Sequence, residues 1–281
     1  MRLLLLPLIM SLAFYACGDD STSIDESPII PSIDGYTLVW NDEFDGSSLD
    51  LTKWAHQNGD GAEFGLNGWG NNELQFYTSR TENLEVSEGM LKMTALEQNF
   101  SGRDYTSARI RTADLPNGNW KYGIFEARIK LPVGQGLWPA FWMLPEEAVY
   151  GGWPRSGEID IMEAVMHIPN ETHGTVHFGQ AWPNNSFKGT GYFLPNGNLN
   201  EAFHTFKIIW EEGSIRWFVD DVLFYRVTPA NLAPERWPFD QSFHILLNIA
   251  VGGNWPGNPD GTTVFPQRME VDYVRVYQKS N

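Results

Sequence analysis

The chain has 281 residues, 14 % of them aromatic with 12 Trp, and its 27 Gly and 17 Pro punctuate it too often for long helices; this composition favours an all-β domain with long loops. A formal net charge of −16 and a pI near 4.7 exclude nucleic acid as a partner, because that binding needs a basic surface to displace counterions. A neutral ligand such as a polysaccharide is compatible with the balance.

Residues 1–16, MRLLLLPLIMSLAFYA, carry one Arg and then an apolar run too short for a mature membrane span, the pattern of an export signal. Cys17 follows directly and is the only cysteine, so no intramolecular disulfide forms; its position resembles a bacterial lipoprotein box, in which the cysteine carries the lipid. Lipid at Cys17 would hold an exported protein at the cell surface or outer membrane, the membrane being met through that anchor alone. Residues 17–35, rich in Ser, Asp and Pro as far as Pro31, cannot build a core and read as a tether. One domain is expected from residue 36 to the end, acting as a monomer.

Strand-like sequence begins with TLVW at 37–40 and leads into Asn41, Asp42 and Glu43; LDLTKW follows at 49–54. The segment from Gly61 to Tyr77, GAEFGLNGWGNNELQFY, is too polar and Gly-rich for a core element and reads as a binding loop carrying Trp69, Asn71, Asn72 and Glu73. NLEVSEGMLKMTALE predicts a hairpin turning at Ser87 to Gly89. SARIRT places Arg109 where it can pair with a carboxylate or with sugar hydroxyls, and IFEARIKL alternates as a half-buried antiparallel strand. In GLWPAFWMLP, at 136–145, Trp138, Ala140 and Trp142 share one face while Phe141 and Met143 share the other. A buried core explains one of these faces. The two tryptophans on the other are either further core or platforms for the apolar C–H face of a pyranose.

The motif GEIDIMEA, residues 157–164, organises the chain. Period-two alternation puts Glu158 and Asp160 on one face and Ile159 and Ile161 on the other. Glu163 breaks the count and would point the wrong way unless one extra residue near Met162 forms a bulge. The spacing predicts that bulge. Glu158 and Glu163 then act as an i, i+4 pair with Cα atoms roughly 13 Å apart, and side chains leaning inward bring the carboxyl groups to about 5 Å, the separation used by retaining glycosidases. Like charges on one face without cationic partners are destabilising, a cost that marks a site. Trp153 sits on the loop just upstream, and His177 in HGTVHF falls on an expected neighbouring strand, there to bond sugar, a catalytic carboxylate or the core.

Further strand-like runs at 203–210, 214–219, 222–227, 243–251 and 269–277, with Asp220 and Asp221 at a tight hairpin, complete an expected β-jelly-roll sandwich of two antiparallel sheets, one curved to give a concave cleft. A Cys–His nucleophile, a G-x-S-x-G elbow, a phosphate loop and zinc-ligand spacing are all missing from the sequence.

GEIDIMEA together with GWGNNELQFYT, GLWPAFWMLP, HGTVHF, PFDQSFHILLNIAVGGNWPG and FPQRMEVDYVRVYQ closely resembles the bacterial laminarinases, endo-β-1,3-glucanases of glycoside hydrolase family 16, from about residue 36 to 278. The resemblance implies a jelly roll with an open cleft, retention of anomeric configuration and no cofactor for catalysis. It assigns Glu158 as nucleophile, Asp160 as its helper and Glu163 as general acid/base, with Asn72, Arg109, Trp138, Trp142, Trp153, His177 and Trp255 lining the glucan subsites. It also implies a structural calcium ion away from the cleft, held by the Glu43 side chain, the Gly89 carbonyl and the Asp272 side chain. Agarases and carrageenases share the bulged signature, and a glycan-binding protein without chemistry keeps the same sandwich; the acidic balance and all three acids favour hydrolysis of neutral β-1,3-glucan.

Overall fold

The computed structural model describes residues 30–280, and Cys17 with the signal and most of the tether lies outside them. Strands form both where apolar and polar residues alternate, as in Glu171–Gly179, and where buried residues run on continuously, as in Phe243–Val251. They are β1 (Tyr36–Asp42), β2 (Ala55–His56), β3 (Gln75–Tyr77), β4 (Leu84–Ser87), β5 (Met90–Phe100), β6 (Arg103–Ser107), β7 (Arg109–Arg111), β8 (Asn119–Trp120) and β9 (Gly123–Lys130). The second half adds β10 (Leu137–Pro145), β11 (Glu158–Glu163), β12 (Glu171–Gly179), β13 (Asn185–Phe193), β14 (His204–Glu211), β15 (Ser214–Val219), β16 (Val222–Val227), β17 (Phe243–Val251) and β18 (Gln267–Lys279). The predicted two-residue hairpins are present: Glu88 and Gly89 turn with φ of 56° and 68°, and Asp220 and Asp221 with 47° and 66°, the left-handed pair that matches strand twist.

One sheet has ten strands, with β16-β15-β14-β9-β18-β5-β6-β3 as its main path, and the other has eight, ordered β13-β12-β11-β10-β17-β7-β2 with β8 on β17. All pairings are antiparallel except β3 with β6, which run parallel. The last strand, β18, is bonded to β1, β5 and β9, so the C-terminal segment closes the larger sheet. Leu137, Phe141, Met143, Ile159, Val176, Phe178 and Leu247 from the smaller sheet pack against Phe125, Ile129, Phe206, Ile208, Trp210 and Trp217 from the larger one, all buried. These layers make a β-jelly-roll sandwich.

The 61–77 segment departs from expectation. It opens with two short 3-10 turns, Ala62–Phe64 and Asn67–Gly70, but its second half is core: Trp69, Glu73, Gln75 and Tyr77 are all buried. The polar groups satisfy one another. The Glu73 carboxylate accepts from Gln75 Nε2 at 2.7 Å and from Asn71 Nδ2 at 3.3 Å, while Gln75 Oε1 accepts the Val251 backbone N–H at 2.7 Å. Burial of polar side chains is tolerated when their hydrogen bonds close in this way.

Candidate active site

The bulge is where the spacing puts it. On β10, Phe141 pairs with Met162 and the next residue, Trp142, pairs with Asp160, leaving Ile161 as the extra residue of β11. The β12 register skips likewise, from Asp160 opposite Thr175 to Glu163 opposite His173. Consecutive Ile161 and Met162 both enter the core, and this returns Glu163 to the face of Glu158 and Asp160. The far sheet holds the irregular step: Trp217 Nε1 donates to the Asp160 carbonyl at 2.8 Å. Gly174 makes room for that indole, since a Cβ there would lie 2.5 Å from Trp217 Cδ1.

Each glutamate is aimed by its own tryptophan. Trp153 Nε1 donates to Glu158 Oε2 at 2.8 Å, and Trp138 Nε1 donates to Glu163 Oε1 at 3.0 Å. Ala140 lies directly opposite Glu163 on β10 and leaves space beside it. His177, directly opposite Glu158 on β12, puts Nε2 at 3.4 Å from Asp160 Oδ2 and 3.7 Å from Glu158 Oε1. Asp160 is 2 % exposed, and among the described residues its Oδ2 has no hydrogen-bond partner beyond the facing imidazole.

Charge in the site follows from burial and crowding. Burial and then the charge of Asp160 push Glu158 up to about 7, with His177, Trp153 and Arg109 pulling the other way. Burial, Asp160 and Glu158 hold Glu163 well above the ordinary carboxylate range. Burial opposes a charged imidazole at His177, but Asp160, Glu158 and Glu163 outweigh it and lift the ring to about 10. An imidazolium therefore sits beside the acids, and Glu158, Glu163 and His177 titrate as a set. Glu158, Asp160 and His177 come close enough together to share an ion; the protonated ring itself supplies the positive charge.

The other expected cleft residues divide into two groups. Trp153 and Trp255 are 45 % and 41 % exposed, and Trp255 stands edge-on to Trp138 with centroids 5.4 Å apart. Exposed Asn72 donates through Nδ2 to Asn254 Oδ1 at 2.8 Å, tying the 61–77 loop to the loop that carries Trp255. Trp142 is half-buried and donates to Asn248 Oδ1 at 2.8 Å. Arg109 is buried, with its guanidinium between the rings of Trp69 (4.4 Å) and Trp142 (4.8 Å) and its Nε on Gln57 Oε1 at 2.6 Å. Its guanidinium lies over the Trp142 ring. Sequence reasoning missed Asn248, Trp217 and His173. Alternation in ETHGTVHF does put His173 and His177 on one face, so for His173 the signal was present.

Two of the expected calcium ligands are paired with guanidinium groups. Glu43 gives both carboxylate oxygens to Arg275, at 2.9 and 2.7 Å, and Asp272 accepts from Arg128 Nη1 at 2.6 Å. These ion pairs fasten the end of β1 and β9 to β18.

Residues 69–275 match glycosyl hydrolases family 16. The chain is similar to glucan endo-1,3-beta-glucosidase A1 of Niallia circulans, 42 % identical over 275 residues that cover 90 % of this chain and 39 % of that protein. A beta-glucanase of Rhodothermus marinus is 46 % identical over 255 residues, covering 86 % and 85 % of the two chains. Among solved structures, the laminarinase catalytic domain of Thermotoga maritima superposes with a TM-score of 0.82 at 43 % identity, covering 88 % of this chain and 99 % of that one. A jelly roll with two aimed glutamates on a bulged strand, matched over this much of its length, belongs to glycosyl hydrolases family 16 and is a glycoside hydrolase.

Proposed function

We propose that the protein is a retaining endo-hydrolase of β-1,3-glucans such as laminarin. The observation that carries the reading is the single extra residue in β11, which turns Glu158 and Glu163 to one face with an indole N–H on each carboxylate. In the first step Glu158 attacks the anomeric carbon while Glu163 gives its proton to the departing glycosidic oxygen, leaving a glycosyl ester on Glu158. In the second, Glu163 takes a proton from water, whose oxygen attacks the same carbon and breaks the ester, releasing Glu158 as a carboxylate. Two inversions at one carbon return the starting β configuration.

The environments support this division. A nucleophile must be ionised and a general acid protonated, and Glu158, with an imidazolium and an indole N–H to stabilise its charge, is the easier of the two to ionise. His177 and Asp160, in contact at 3.4 Å, buffer the charge on Glu158 as it leaves the sugar. Carboxylate chemistry of this kind calls for no cofactor. The tryptophans around the two glutamates, the acidic balance of the chain and the likeness to enzymes named for endo-1,3-beta-glucosidase and laminarinase activity support glucan over charged galactans. The test is Glu158→Ser, which abolishes release of reducing ends from laminarin while still binding laminari-oligosaccharides. Undiminished turnover by that variant, or wild-type cleavage of agarose or carrageenan but not laminarin, would overturn the reading.

A further inference from the structure

Strand β12 sets a histidine opposite each of the two glutamates, His177 against Glu158 and His173 against Glu163. The first is drawn into the carboxylate cluster. The second has its own acid: Nε2 of His173 faces Oε1 of Glu171 at 3.3 Å. Gly191, opposite His173 on β13, makes that pairing possible, because a Cβ at this position would lie 2.3 Å from Glu171 Oε1 and 3.2 Å from His173 Cε1. The backbone of Gly191 is not left-handed, so space rather than backbone freedom is what glycine supplies there. Trp255 stands edge-on to the His173 ring, centroids 5.0 Å apart at 80°, and edge-on in turn to Trp138, whose indole N–H is on Glu163. The His173 side chain is 25 % exposed and Trp255 41 %, so both still present surface beside Glu163.

We propose that the Glu171–His173 pair, with Trp255, binds the glucosyl residue on the leaving-group side of the scissile bond and determines which sugar departs and which acceptor is taken up. The inference rests on the assignment of Glu163 as acid/base. An imidazole lying across the ladder from the proton donor is within reach of the sugar that receives the proton. A carboxylate facing Nε2 keeps the N–H on that side of the ring and leaves Nδ1 to accept from a sugar hydroxyl, while the exposed indole packs against the C–H face of the same residue. Glu171 orients, and His173 makes the contact.

The experiment compares His173→Ala and Glu171→Gln with wild type on two substrates: unmodified laminaritetraose, whose departing group is a sugar, and 4-nitrophenyl β-laminaribioside, whose departing phenolate offers no sugar hydroxyl to His173 and needs little help from an acid. Loss of one hydrogen bond to the departing sugar lowers kcat/KM on the tetraose about fivefold to tenfold for His173→Ala, by less for Glu171→Gln, with the aryl substrate unchanged within about twofold for both. Transglycosylation products fall alongside, and His173→Gln, which keeps an acceptor atom, regains part of the loss. Equal losses on both substrates would show a merely structural pair and overturn the inference, as would undiminished cleavage of the tetraose. A wild type that cleaves neither substrate would instead overturn the assignment of activity.

Discussion

The two ends of strand β11 carry the same side chain in different surroundings. At the Glu158 end an imidazolium lies 3.7 Å away and an exposed indole donates at 2.8 Å, and the carboxyl is pushed up only to about 7. At the Glu163 end a half-buried indole is the donor, the facing imidazole is turned to Glu171, and the carboxyl is held well above the ordinary range. Identical residues five positions apart thus sit in different electrostatic surroundings, set by β10, β12 and the 153 loop. On the proposed mechanism these strand neighbours, rather than the motif, divide nucleophile from acid.

The comparison is broken most severely by removing the acid. Glu163→Ala lowers kcat on laminarin by about a thousandfold, within the range for loss of a general acid, while an activated aryl leaving group keeps most of its first-step rate and azide restores turnover by replacing water. Equal losses for sugar and aryl leaving groups would mean that Glu163 does not protonate the departing oxygen. A smaller change tests the other end. The cation at His177 helps to keep Glu158 ionised, so its removal in His177→Asn raises the pH at which Glu158 loses its proton. The acid limb of kcat/KM, set by ionisation of the nucleophile in the free enzyme, starts near 7 and moves up by about one unit. An unmoved limb, or one moved to lower pH, would show that the imidazolium does not govern the nucleophile.

Much of this was legible before any coordinates. Alternation of Glu158, Ile159 and Asp160 followed by the misplaced Glu163 required a bulge, and alternation in GLWPAFWMLP put Trp138 and Trp142 on a face apart from Phe141 and Met143, because a strand's period of two is a local property. What escaped depends on contacts between segments far apart in sequence. Arg109 reads as an open cation until Trp69 and Trp142 are seen on either side of it. Glu73 reads as a loop acid until Gln75 and Asn71 close around it. Glu43 and Asp272 have the right chemistry for calcium, and only the ladder between β1 and β18 brings Arg275 onto Glu43, as that between β9 and β18 brings Arg128 onto Asp272. Trp217, which braces the bulge from the opposite sheet, has no signature in sequence beyond being apolar on an inward face.

The most direct test of the account follows the sugar carbon itself. Proton NMR of laminarin hydrolysis in its first minutes, before mutarotation, reads the anomer released. On the proposed double displacement by Glu158 and Glu163 the β-anomer appears first and the α-anomer grows in at the rate of mutarotation. An initial burst of α-anomer would mean one displacement by water and would contradict the role given to Glu158.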